Sequence, residues 1–210
     1  MWGGAGTDFF STGGRYSPIT DSWTATSTAN APTARGWYTA VWTSTEMIVW
    51  GGYGCGGNCN LNTGGRYNPS TDSWTAISVV NAPVVRWNHR ALWTGDEMIV
   101  WGGTDGTNYL HTGGRYDPST DSWRATTTVS APTARGYCTG VWTGSEMIVR
   151  GGIDLNGQLN TGGRYCAQSG PTPTATPTAS ATVTPLLSTT PRATPTPRSR
   201  PTAASRPTPP

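Results

Sequence analysis

Three sets of charged residues, nine in all, recur at matched positions in this chain besides the arginine of its TGGRY phrase. Arg35, Arg86 and Arg135 close the phrases APTAR, APVVR and APTAR; Glu46, Glu97 and Glu146 open EMIV; Asp21, Asp72 and Asp121 open DSW. Carboxylates held near a cation can serve as general acid and base. Cys55 and Cys59, in GCGGNC, could close a small disulfide or offer thiolates, and His89 and His111 are the only histidines. Two cysteines do not complete a tetrahedral zinc site, and no histidine stands near them in sequence. The sequence therefore predicts no metal and no cofactor. A catalytic group rarely needs three identical copies, so the nine recurring charges are assigned to scaffold, pairing with one another or with turn amides.

What must position these residues is a repeat. TGGRY stands at Thr12–Tyr16, Thr63–Tyr67, Thr112–Tyr116 and Thr161–Tyr165, at spacings of 51, 49 and 49 residues. Each unit contains four short segments. Segment a covers Arg35–Thr43, Arg86–Thr94 and Arg135–Thr143; segment b is the EMIV phrase; segment c is GGRY; segment d is DSWTA or DSWRA. Val, Ile, Trp, Tyr and Thr fill the segments, and Gly, Pro, Asn, Asp and Ser fill the gaps, which is strand composition bounded by turn composition. No window shows the i, i+3, i+4, i+7 pattern of a helix. The fold is predicted all-β. Four consecutive antiparallel strands at a period near fifty fit blades of a β-propeller.

A Gly-Gly doublet ending segment b, a Tyr in c and a Trp in d resemble the kelch repeat. Gly51, Gly52, Tyr67 and Trp74 carry the pattern in one unit, and Gly102, Gly103, Tyr116 and Trp123 in the next. Gly3, Gly4, Tyr16 and Trp23 form an earlier partial unit, while Gly151, Gly152 and Tyr165 form a later one without the Trp. The resemblance covers Trp2 to Tyr165 and looks most like bacterial kelch-repeat proteins, many of them exported. It implies blades packed through their tryptophans and a binding role. Kelch strands often carry His where His89 stands, so His89 reads as structural. Cys138 takes the same strand position and reads as a core substitution, and Cys166 has no foreseeable partner. Copper oxidases on this fold need clustered Tyr, His and Cys ligands, which two lone histidines do not supply. DPSTDSW resembles the Asp-box of sialidase propellers but lacks its Gly. The chain is predicted not to be an enzyme. The alternative is a fragment of a propeller enzyme acting on carbohydrates, galactose-oxidase-like or sialidase-like, with its site in missing blades.

Only the stretch between b and c varies strongly: AGTDFFS, YGCGGNCNLN, TDGTNYLH and IDLNGQLN. Strands a to d alternate in direction, so the b–c loops and the d-to-a linkers should emerge on one face. Loops on a rigid scaffold are where binding sits. The candidate ligand-binding residues are Asp8, Phe9, Phe10, Tyr53, Asp105, Asn108, Tyr109, His111, Asp154 and Asn156. The expected partner is a protein or a glycan.

Two domains are expected. Residues 1–167 carry a partial kelch propeller, and 168–210 a disordered Thr/Pro-rich tail or linker, too poor in apolar residues to offset its ordering entropy. The formal charge is +3 with no lysine. Arg192, Arg198, Arg200 and Arg206 put the positive charge on the tail, while ten arginines against eleven acids leave the folded part near −1. That excludes a basic nucleic-acid face. No run is long enough to span a bilayer, and no export signal is visible. The chain opens in mid-repeat, which predicts a fragment of a longer gene. Counting strands gives about three blades, with open edges. Two chains closing head-to-tail into six blades would satisfy those edges. The Cys55–Cys59 pair, the tail and the resemblance point to an extracellular or cell-surface protein.

Overall fold

The computed structural model describes residues 1–54 and 59–167. The expected disorder of the 168–210 tail lies outside these described residues, and so does Cys55, with which the sequence reading pairs Cys59 in an expected disulfide. Among the described residues every regular element is a strand. β1 (Trp2–Ala5), β2 (Phe9–Ser17) and β3 (Ser22–Ala25) form the first sheet. There follow β4 (Arg35–Gly36), β5 (Thr39–Trp42), β6 (Met47–Trp50), β7 (Tyr53–Gly54), β8 (Cys59–Asn60), β9 (Gly64–Asn68) and β10 (Ser73–Ala76). Of these, β5-β6-β9-β10 make a four-stranded sheet, and β4-β7-β8 a small one beside it. The third sheet is β11 (Arg90–Trp93), β12 (Met98–Trp101), β13 (Gly113–Asp117) and β14 (Ser122–Ala125). In the fourth, β16 (Glu146–Arg150) lies between β15 (Thr139–Trp142) and β19 (Gly162–Cys166), and β17 (Ile153–Asp154) and β18 (Gly157–Gln158) make a separate hairpin.

The strands pair in one repeated antiparallel register. Met47, Met98 and Met147 face Tyr67, Tyr116 and Tyr165, and Trp23, Trp74 and Trp123 face Tyr16, Tyr67 and Tyr116. Segments a to d are thus the four strands, in order, of the second and third sheets, while the first sheet carries b to d and the fourth a to c. The partial units at the two ends stay separate sheets and do not merge into one.

In the second and third sheets strand b is buried on both faces, which is why its sequence there is an unbroken apolar run. On β6, Val49 packs with Trp2, Tyr67 and Trp74, while Ile48 and Trp50 face the other way, onto Met98, Val100 and Trp123. On β12, Met98 and Val100 look back, and Ile99 and Trp101 look forward onto Cys138, Met147 and Val149. The period of two hands each sheet's core to both neighbours in turn.

Segment a departs from the continuous strand its sequence predicts. Trp37, Asn88 and Tyr137 take left-handed φ values of 52°, 50° and 56°. The backbone swings there, so Arg35–Gly36 pairs with Tyr53–Gly54 rather than continuing into β5. Strand a proper begins at Thr39, Arg90 and Thr139.

Candidate functional site

The nine recurring charges divide into three structural jobs. Arg86 is fully buried, and its guanidinium donates to the carbonyl oxygens of Val84 (3.1 Å), Gly102 (3.0 Å) and Thr112 (2.7 Å) and to Thr112 Oγ1 (3.2 Å). Burial brings its pKa down to about 10, opposed by the charge of Asp105. Arg35 and Arg135 repeat the arrangement on Gly51 and Thr63, and on Gly151 and Thr161. These arginines do not use the repeat's glutamates as the sequence reading allowed. They stitch the carbonyls at both ends of a b–c loop. The main chain adds to this: Gly52 N–H donates to Arg86 O (2.9 Å), and Arg86 N–H to Leu61 O (3.1 Å). Each d-to-a linker therefore lies against the preceding b–c loop, and both emerge on one face, as strand alternation requires.

The glutamates pair instead with the arginine of GGRY. Glu97 accepts from Arg115 Nε at 2.7 Å and is also bound by Arg124, and Glu46 and Glu146 stand 3.8 and 3.6 Å from Arg66 and Arg164. The aspartates hold the c–d turns in left-handed φ near 50°. Asp72 accepts from Tyr67 Oη at 2.5 Å and from Ser27 N–H, one blade back, at 3.0 Å. Those two bonds hold its carboxyl below the usual range, and burial with the Asp72 bond pushes Tyr67 up to about 12.

His89 lies buried with Nε2 2.6 Å from Thr39 Oγ1 and its ring against the edge of Trp50. Burial, with the charges of Arg86 and Arg90, drives its pKa down to about 3, so the ring is neutral. Cys138 fills the matching position and its burial pushes the thiol up. Cys166 is exposed on β19, its thiol raised by a 3.2 Å hydrogen bond to Glu146.

The candidate loop residues do not form one cluster. Asp105 accepts from the N–H groups of Thr107 (2.9 Å) and Asn108 (2.7 Å), which hold its carboxyl low and close its own turn. Asp154 closes its own turn by accepting from Asn156 N–H at 2.7 Å, and Asp8 offers its carbonyl to Gly6 N–H. Phe10, Asn108 and His111 are exposed, and Tyr109 lies over Gly136, where a Cβ would stand 3.1 Å from its ring. Among the described residues, no three His, Cys, Asp or Glu side chains converge as metal ligands.

Phe9 and Tyr53 do come together, with two residues outside the candidate set. Their ring centroids are 5.8 Å apart, and Trp37 lies 5.7 Å from Phe9 and 5.8 Å from Tyr53. Trp87 closes the group, 5.5 Å from Trp37 and 6.0 Å from Tyr53. All these pairs are tilted or edge-on, the favoured aromatic geometries. Gly36 makes room for the cluster, since a Cβ there would stand 3.2 Å from Phe9 and 3.0 Å from Ala5 Cβ. Trp37 and Trp87 lie in segment a, which the sequence alone assigns to the scaffold. The signal that marks them is that the residues just after the constant arginine vary, reading Gly-Trp, Trp-Asn and Gly-Tyr. A main-chain thread links the same positions: Asn88 N–H donates to Trp37 O (3.2 Å), and Tyr137 N–H to Asn88 O (3.0 Å). The loop face thus carries a four-ring aromatic patch.

The family model of the KLHDC2/KLHL20/DRC7 Kelch-repeats domain matches residues 1–168. No curated protein matches the chain.

Proposed function

The chain belongs to the Kelch-repeat family, and we propose that it is a non-enzymatic module that recognises a protein partner through the b–c loop face. Kelch-repeat propellers serve generally in protein interaction. The observation that carries the reading to a site is the Phe9–Trp37–Tyr53–Trp87 patch. Trp37 is 49% exposed there although it touches three other rings. A rigid, half-exposed indole backed by packed aromatics is the kind of residue that anchors interfaces at small entropic cost.

The test is selection of peptides from a displayed library against the full chain, with a glycan array probed in parallel. Peptide binding lost on Trp37→Ala and Tyr53→Ala, and kept on Trp42→Ala at the far end of β5, supports the proposal. Glycan binding lost on the same variants would move the reading to glycans. Binders indifferent to Trp37 and Tyr53 would end it.

Self-association and location belong to the same proposal. Trp23 is 62% exposed, whereas Trp74 and Trp123 at the same register are 4% and 3% exposed. The first sheet thus presents a face that fits a further blade, in a second copy or in added sequence. Light scattering across a concentration series decides whether copies pair head-to-tail. An extracellular or cell-surface setting is proposed from the Cys55/Cys59 spacing and the Thr/Pro-rich composition after residue 168, and fractionation of the native host checks it.

A further inference from the structure

In the second and third sheets the outer strand d is held by the same set of contacts. Trp74 and Trp123 lie on Tyr67 and Tyr116 of strand c at 5.1 and 5.0 Å, and on the strand-b tryptophans one blade back, Trp2 and Trp50, at 5.1 and 5.2 Å. Their indole N–H groups donate to Ser27 O (3.0 Å) and Ser78 O (2.9 Å). The Asp two residues earlier accepts from the same strand-c tyrosine and from the N–H of the same serine.

The fourth sheet has every receiving part of this arrangement. Among the described residues β19 is the outermost strand of its sheet. Beside it lies a cleft of about 180 Å³ lined by Trp101, Thr127, Pro132, Gly163 and Tyr165. Trp101 stands where Trp2 and Trp50 stand, Tyr165 where Tyr67 and Tyr116 stand, and Thr127 where Ser27 and Ser78 stand. Pro132 packs at Gly163 as Pro32 and Pro83 pack at Gly65 and Gly114.

We propose that the outer edge of β19 and the cleft between Trp101 and Tyr165 form a strand-acceptor site for an extended, tryptophan-bearing segment of another polypeptide. The internal copies fix the ligand's chemistry. The segment pairs antiparallel with Gly163–Cys166, sets an indole on Tyr165 and donates its N–H to Thr127 O. A carboxylate two residues before the indole accepts from Tyr165 Oη and Thr127 N–H. The edge supplies main-chain bonds and the cleft selects the side chain, the division of labour in strand addition. Residues 1–210 hold no spare copy of the segment. Each Asp-Ser-Trp phrase already serves its own sheet, and residues 168–210 contain no aromatic and no acidic residue and are rich in proline, which cannot donate to a ladder.

The test titrates the full chain into a labelled peptide of residues 117–126, DPSTDSWRAT, read by fluorescence anisotropy. Saturable one-to-one binding is expected. It should weaken at least about tenfold when the peptide carries Trp123→Ala, vanish on Tyr165→Ala in the protein, and weaken less on Tyr165→Phe, which keeps the ring and removes the hydroxyl donor. Trp37→Ala should leave it unchanged, separating this site from the loop face. No saturable binding, because residues beyond 167 or a second copy occupy the cleft, would overturn the proposal. So would binding indifferent to Tyr165→Ala.

Discussion

The indole nitrogen of Trp123 donates to the carbonyl oxygen of Ser78, 45 residues earlier and one blade back, at 2.9 Å. With Trp74 and Ser27 making the same bond at 3.0 Å, the outer strand of each complete sheet is tied to the linker that leaves the sheet before it. The repeat is therefore mechanically continuous: each blade's edge depends on its predecessor.

Trp123→Ala should cost about 3–5 kcal/mol, as for a large aromatic removed from a packed core. Trp23→Ala removes the same residue type at the same register, but from an indole left largely in water, and should stay within about 0.5 kcal/mol. Urea midpoints of the two variants against the parent measure the contrast. Equal losses would mean that Trp23 is covered in solution.

Stability should fall on acidification through His89. Burial keeps its pKa near 3, against 6.5 in the unfolded chain, so between those values the unfolded state binds the proton and the folded state does not. A depressed pKa of this kind contributes stability that is complete above pH about 6.5 and is lost as pH falls toward 3. By pH 5 the loss should reach about 2 kcal/mol. Denaturant titrations at pH 7.5 and pH 5 should show a smaller difference for His89→Gln than for the parent, isolating this residue from the carboxylates that also titrate.

Arg86→Met should cost about 3 kcal/mol or more, because Gly102 O, Thr112 O and Val84 O lose a buried donor. Arg86→Lys keeps the charge but not the planar fork, and should recover only part of the loss. Thermal unfolding of the two variants checks the order. A lysine variant equal to the parent would show that charge, and not the fork, is what this position needs.

Glu97 and Glu146 occupy one repeat position in different surroundings. Glu97→Gln leaves Arg115 poorly compensated in a nearly buried setting and should cost about 2–4 kcal/mol. Glu146→Gln loosens a 3.6 Å pair to an Arg164 whose side chain is 70% exposed, and should be near neutral. Added salt should reduce the difference little, since the Glu97 pair is shielded from the ions.

Much of this protein is determined by local sequence. Strand-forming composition in segments a to d, turn chemistry at the SPITD, NPSTD and DPSTD corners, and a period near fifty are enough to specify all-β blades, because strand pairing within a blade joins segments close in the chain. The same repetition assigns the recurring charges to scaffold, and His89 and Cys138 to the interior. What only the tertiary structure decided arises between blades. The main chain of Arg86 bonds Gly52 and Leu61 of the preceding b–c loop, which ties the d-to-a linker to a loop one repeat back. Trp37 and Trp87 join Phe9 and Tyr53 because a left-handed turn at Trp37 breaks segment a and carries those rings to the loop face. The cleft beside β19 follows from the placement of Trp101 and Tyr165, 64 positions apart in the numbering, against one another. Such contacts depend on how one sheet is rotated and stacked on the next, and a pattern confined to one repeat unit carries no term for that.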